Sequence, residues 1–158
     1  ESLFAPSKRK RGMEPDQVII GLQETLLPYE ITIISRSDRL ERAIREVERI
    51  RLEEVPLLYA TDAHYLRLVQ EIQSMVLLAE MYLRSRLLRE ESRDGCARED
   101  FPYTDNIKWL KWTELKQNRG KMEMSTRDIN LNPKYKPKKE KRLYPILEVA
   151  RKRGIQWG

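Results

Sequence analysis

The sequence predicts an all-α fold: three helices running up, down and up, followed by a small β-hairpin and an extended basic tail. Apolar residues recur at helical spacing in three separate stretches. Pro28 and Pro56 stop the first two, because proline lacks the N–H that would continue the backbone ladder. The connections between stretches are short, which makes neighbouring helices antiparallel.

Each element can be justified in turn. Residues 1–13 are basic, contain Pro6 and Gly12, and read as an entering linker. Pro15 suits the first turn of a helix over 15–27, where a missing N–H costs little. Val18, Ile19, Leu22 and Leu26 supply its apolar face. Ile31 to Ser35 is β-branched, yet no partner strand lies nearby in sequence, so it reads as an extended connection or a frayed helical turn. The second helix spans 38–55. Asp38 and Glu41 resemble a capping pair, and Leu40, Ile44, Val47, Ile50 and Val55 form one stripe. Thr61 or Asp62 caps the third helix, 62–91, on the order of 45 Å long at 1.5 Å per residue. Met75 to Ala79 is apolar all round, so its middle should touch neighbours on two sides, and Ile72 and Leu78 should both be core.

From Arg93 to Asn106 there is no period, and Asp94-Gly95, Pro102 and Asp105-Asn106 mark loop. Trp109 to Lys116 and Met122 to Ser125 read as two strands around Asn118-Arg119-Gly120, with Met122 and Met124 alternating with polar residues. After Asn130 lysine and proline dominate, and Leu143 to Arg153 has the pattern of a last short helix. The division that follows is a linker, 1–13; a helical domain with hairpin, 14–130; and a tail, 131–158.

Composition narrows the function. Hydrophobic residues make up 40% of the 158 and charged residues 35%, enough for one core beneath a highly solvated surface. Much of the net charge of +6 comes from residues 133–142, which hold six Lys/Arg against one Glu. The single cysteine, Cys96, cannot form an internal disulfide or by itself build a metal site, and fits a reducing, cytoplasmic compartment. No apolar run approaches the roughly 18 residues needed to span a bilayer. The first residue is Glu1 rather than methionine, which suggests a piece of a longer polypeptide. Pairing Cys96 with His64 as nucleophile and base fails for want of a third group and an oxyanion site. No ligand cluster for a metal is present. Tyr103, Trp109 and Trp112 beside the basic tail would suit nucleobase stacking. Their simpler role is an aromatic cluster sealing the hairpin onto the helices, and no nucleic-acid partner is expected.

The most specific stretch is Leu88 to Trp112. A long helix ends in Glu91-Ser92-Arg93; Arg98-Glu99-Asp100-Phe101-Pro102 follows, then Asp105-Asn106-Ile107-Lys108-Trp109-Leu110-Lys111. This order resembles the C-terminal part of succinate dehydrogenase and fumarate reductase flavoproteins. The likeness is specific over 74–129, weaker over 13–59 and faint after 130. One departure is clear: the family commonly has Ser-Arg-Gly-Ala/Thr-His-x-Arg, where this chain has Asp94, Gly95 and Cys96 in the middle. Adenylylsulfate reductase and aspartate oxidase flavoproteins are related, so no substrate follows.

The resemblance implies a spectrin-repeat-like helical domain of an FAD-dependent oxidoreductase whose flavin and catalytic residues lie upstream. The six glycines are all isolated, so the Gly-rich FAD fingerprint is missing. Catalytic, cofactor-binding and metal residues are therefore expected to be none, and the chain alone is expected to hold no FAD. The expected partner is the upstream FAD-binding catalytic domain or subunit. Arg89, Arg93, Arg98, Glu99, Asp100, Tyr103, Trp109 and Trp112 are the docking candidates, because they join forked guanidinium donors to aromatic anchors. The competing reading is a stand-alone helical interaction module with a basic tail.

Overall fold

The computed structural model describes residues 3–155. Three longer helices surround the main core: α1 (Pro15–Leu26), α3 (Ser37–Arg49) and α4 (Ala63–Leu88). A single helical turn, α2 (Tyr29–Thr32), follows Pro28. Val18 and Leu22 of α1, Leu40, Ile44 and Val47 of α3, and Val69, Ile72, Val76, Ala79 and Leu83 of α4 interlock as one cluster. Fully burying a Val, Leu or Ile contributes about 1.5–3 kcal/mol, so this cluster carries most of the apolar stabilisation.

The helix boundaries have local causes. Pro15 opens α1 beside a capping box, in which the Glu14 amide donates to Gln17 and the Glu14 side chain accepts from the third residue. The Asp62 carboxylate accepts from the Tyr65 amide and starts α4. Beyond α3 the chain loosens into a π-helical turn, Ile50–Glu54, and a 3₁₀ turn, Val55–Leu57, containing Pro56. Asp38 does not cap α3. It sits inside the first turn, paired with Arg36 and Arg42. Ahead of α1, the Met13 amide donates to Leu57 O and the Tyr59 amide to Met13 O. A Cβ at Gly12 would stand 2.2 Å from Leu57 O, so only glycine lets the chain pass there.

The expected all-α class is not what the chain adopts. Five helices share the described residues with six strands arranged as three two-stranded sheets. β1 (Ile34–Ser35) runs parallel to β2 (Ala97–Arg98). β3 (Tyr103–Asp105) pairs antiparallel with β6 (Lys141–Leu143). β4 (Lys111–Asn118) and β5 (Lys121–Asp128) form the hairpin, in register from Lys111↔Asp128 to Asn118↔Lys121. Its two-residue turn places Arg119 at φ 48° and Gly120 at φ 79°, the left-handed pair that a tight hairpin requires.

The tail is likewise not simply extended. It returns as β6 to pair with β3 and ends in α5 (Pro145–Lys152), whose Leu147 packs with Ile34 and Ala97 in a second small core. Residues 1–2 of the expected linker and 156–158 of the expected tail lie outside the described residues. Strands of two or three residues have no measurable alternation, and their partners are distant in sequence; only tertiary contact creates them.

The middle of α4 also differs from expectation. Val76 and Ala79 are buried, but Met75 and Leu77 are exposed and Leu78 is 62% exposed. One side of the helix makes the core, and the described residues leave the other side uncovered.

Candidate functional site

The last carbonyls of a helix have no partner within it, and α4 has no glycine cap. Arg98, carried on β2, supplies the missing donors. Its Nη1 donates to Arg86 O at 2.6 Å, Leu87 O at 3.3 Å and Arg89 O at 3.0 Å. Its Nη2 reaches Ser37 Oγ at 2.8 Å and Asp100 at 2.8 Å, and its Nε reaches Asp100 at 2.9 Å. Arg98 is 1% exposed. Asp100 in turn accepts from the Ser37 amide at 2.9 Å, at the start of α3. A guanidinium thus closes the negative end of α4 while its carboxylate partner closes the positive end of α3, the arrangement the helix dipoles favour. Burial by itself would raise the Asp100 pKa. Hydrogen bonds from Arg98 and Ser37 outweigh it and hold the carboxyl below its ordinary value.

A second cluster gathers on Glu91, which is buried. It accepts from Arg89, from Arg93 Nε at 2.9 Å and Nη2 at 3.0 Å, and from the Asp105 amide at 3.1 Å. Arg93 continues to Asn106 Oδ1 at 2.7 Å, and Asn106 donates to Lys138 O at 3.1 Å, which ties down the tail. Arg89 donates to Trp109 O at 2.8 Å and Lys111 O at 2.9 Å, and lies over the Trp109 ring at 5.4 Å.

The eight candidates therefore separate. Arg89, Arg93 and Trp109 converge beside Glu91. Arg98 and Asp100 form the clamp between helix ends. Glu99 pairs with Arg39 of α3 at 3.4 Å. Tyr103 sits in β3, with Lys141 over its ring at 5.1 Å. Trp112 stands 55% exposed on β4 and does not seal the hairpin; Trp109, 7% exposed, is the buried member of the pair.

Sequence reasoning missed Arg86, Glu91, Ser37 and Asn106. Arg86 carried a readable signal. It follows Val76, Ala79 and Leu83 on the buried face of α4, where a charge must be held by specific partners. It donates to Thr32 O at 2.8 Å, Tyr82 Oη at 3.0 Å, Ser35 Oγ at 2.9 Å and Cys96 Sγ at 3.1 Å. Ser37 gave no such signal, since its partners Arg98 and Asp100 come from far along the chain; Glu91 pairs with its near neighbours Arg89 and Arg93, but only the Asp105 amide and the fold around it make it a buried hub.

Between the end of α4, residues 91–98 and the base of the hairpin lies a cleft of about 590 Å³, lined by Arg86, Arg89, Arg93, Trp109, Lys111 and Trp112 among others. No group of three or more His, Cys, Asp or Glu side chains is gathered for a metal ion among the described residues. Cys96 lies against Arg86, and His64 in the first turn of α4, about 33 Å from Arg86 at 1.5 Å per residue. They do not meet. No helix among the described residues is long and apolar enough to cross a membrane.

A family model described as the fumarate reductase flavoprotein C-terminus matches residues 22–142, most of the chain. The chain belongs to this family. Solved structures agree in fold. A chain of Escherichia coli quinol fumarate reductase carrying a FrdA mutation superposes with a TM-score of 0.73 at 18% identity, over 87% of this chain and 24% of that one. The Mycobacterium smegmatis Sdh1 complex in its apo form gives 0.69 at 16% identity, over 82% and 23%. The same complex with UQ1 gives 0.67 at 18%, over 83% and 23%. No curated protein matches the sequence. This fumarate reductase flavoprotein C-terminal domain thus spans under a quarter of the solved chains it superposes on, and the clamp that buried Arg98 makes with Asp100 lies within the matched residues.

Proposed function

We propose that this domain is the non-catalytic docking part of an FAD-dependent oxidoreductase resembling fumarate reductase or succinate dehydrogenase. That enzyme would move a hydride between flavin and a small acid on its upstream part. The observation carrying the reading is the open side of α4: Leu77 and Leu78 face outward on a helix whose opposite side is the main core. Apolar surface of this kind is normally covered by a partner. The partner proposed is the FAD-bearing catalytic part, on the same polypeptide or a separate subunit, in a reducing cytoplasmic setting. Residues 14–130 would be the docking domain proper, with 1–13 leading in from that part and the tail after 130 folding back on the domain itself.

The residues present do not fit FAD on their own. Among the described residues no glycine-rich turn opens a helix to receive the diphosphate. The glycines with positive φ are Gly120, at the hairpin tip, and Gly154, just past α5. Residues 1–158 mixed with FAD and passed over a sizing column should retain no flavin, and should turn over neither fumarate nor succinate. Stoichiometric flavin retained by this chain would overturn the proposal. The alternative, a free-standing interaction module, has the same open surfaces in its favour. A flavin-binding sequence in frame upstream decides against it.

A further inference from the structure

The cleft at the end of α4 holds an electrostatic imbalance. Arg86 is 5% exposed, yet among the described residues no carboxylate lies within ion-pair distance of it. All its acceptors are neutral: three hydroxyl or carbonyl groups, the Cys96 sulfur and, at 3.4 Å, Ile33 O. Buried guanidinium groups are ordinarily paired, because an uncompensated charge away from water is costly. Among the described residues Arg86 Nε, Trp109 Nε1 and Thr113 Oγ1 have no hydrogen-bond partner. All three residues line the same cleft. The only other buried side-chain atoms without a hydrogen bond among the described residues, on Arg39 and Glu99, face each other as an ion pair.

The cleft is lined by five cations, Arg86, Arg89, Arg93, Arg98 and Lys111, against two carboxylates, Glu91 and Asp94. Glu91 is already occupied by two guanidinium groups and the Asp105 amide, so it cannot serve Arg86. The missing component is one acceptor group with negative charge. A carboxylate supplies two oxygens, one for the guanidinium N–H and one for the indole N–H.

We propose that this cleft receives an Asp or Glu side chain from the flavin-bearing part of the enzyme, seated on Arg86 and Trp109, with Trp112 as the aromatic rim of the contact. The inference rests on the docking reading and adds the chemistry of the partner segment. A side chain is favoured over a free anion for two reasons. The cleft opens beside an exposed tryptophan, a residue enriched where proteins meet. The domain also accounts for under a quarter of the solved chains it matches, so most of such an enzyme remains to supply the acid.

Two cross-links on the full-length protein test this. A benzophenone side chain at position 112 reports whatever covers the rim. A zero-length carbodiimide couples Lys111, which lines the cleft, to carboxylates in reach. The expected result is a benzophenone adduct outside residues 1–158, together with an amide between Lys111 and an Asp or Glu outside that range. If the benzophenone finds the rest of the enzyme but Lys111 couples only within this domain, to its existing neighbour Asp128 for example, the docking reading stands and the seated carboxylate is wrong. If the benzophenone reaches nothing outside the domain, both fall.

Discussion

A guanidinium that donates to two last-turn carbonyls of one helix and the carbonyl of its C-cap, and to a carboxylate at the head of another, is poorly replaced by lysine, whose ammonium lacks the planar fork. Arg98→Ala should destabilise residues 1–158 by roughly 1–3 kcal/mol in urea, the cost of leaving buried acceptors without donors, and Arg98→Lys should recover only part of that. Arg98, expected from sequence as a docking residue, is buried within this domain, so its loss should be felt in the separate chain as well as in the intact enzyme. Arg93, partly exposed and sharing Glu91 with Arg89, should matter less. Asp100 adds a pH dependence. Its folded pKa is depressed, so the stability it contributes is present above its unfolded value, about 4. That stability is lost as pH falls through the lower folded value. Asp100→Asn should weaken the domain at pH 7 and flatten the decline in stability below about pH 4, as followed by circular dichroism. A variant whose acid limb superposes on that of the parent would remove Asp100 from this role.

At the scale of elements, α4 has two unlike sides. Ile72 lies in the core, and Ile72→Ala should cost about 2–5 kcal/mol. Leu78 faces out, so Leu78→Ala should change the separate chain by less than about 0.5 kcal/mol. If the flavin-bearing part covers this side, the same substitution in the intact enzyme should cost several times more; equal small effects in both proteins would show that the surface stays open. The all-round apolar run from Met75 to Ala79 pointed to neighbours on two sides. The described residues supply only one of them. The hairpin was legible from its alternation and its Arg119-Gly120 turn, because both are local. None of its 16 residues is buried, so its placement follows from what it reaches rather than from its own packing.

Over the whole molecule, the C-terminal tail closes the structure. Tyr144 donates from its amide to Pro102 O at 2.8 Å, and the Asn106 amide donates to Glu140 O at 3.0 Å. Ending the chain after Asn130 should strip Leu147 from Ile34 and Ala97 at a cost of roughly 1.5–3 kcal/mol. It should also make the Asn106 amide exchange rapidly with solvent, while amides in the middle of α4 remain protected. An Asn106 amide as slow in the shortened chain as in the parent would mean the tail only lies nearby.

The three long helices, the hairpin and the absence of a Gly-rich flavin turn were set by the sequence itself, because period, proline and turn chemistry act within a few residues. The family was legible from the run between Glu91 and Lys111 for the same reason: its order is contiguous. Only the tertiary structure decided the rest. It pairs Ile34–Ser35 with Ala97–Arg98 and Tyr103–Asp105 with the tail, overturning the all-α class. It also turns Arg98 inward as a helix clamp and leaves Arg86 buried with no carboxylate partner among the described residues. Strands of two or three residues and buried guanidinium groups acquire their meaning from partners distant in the chain, and no local pattern records where those partners come to lie.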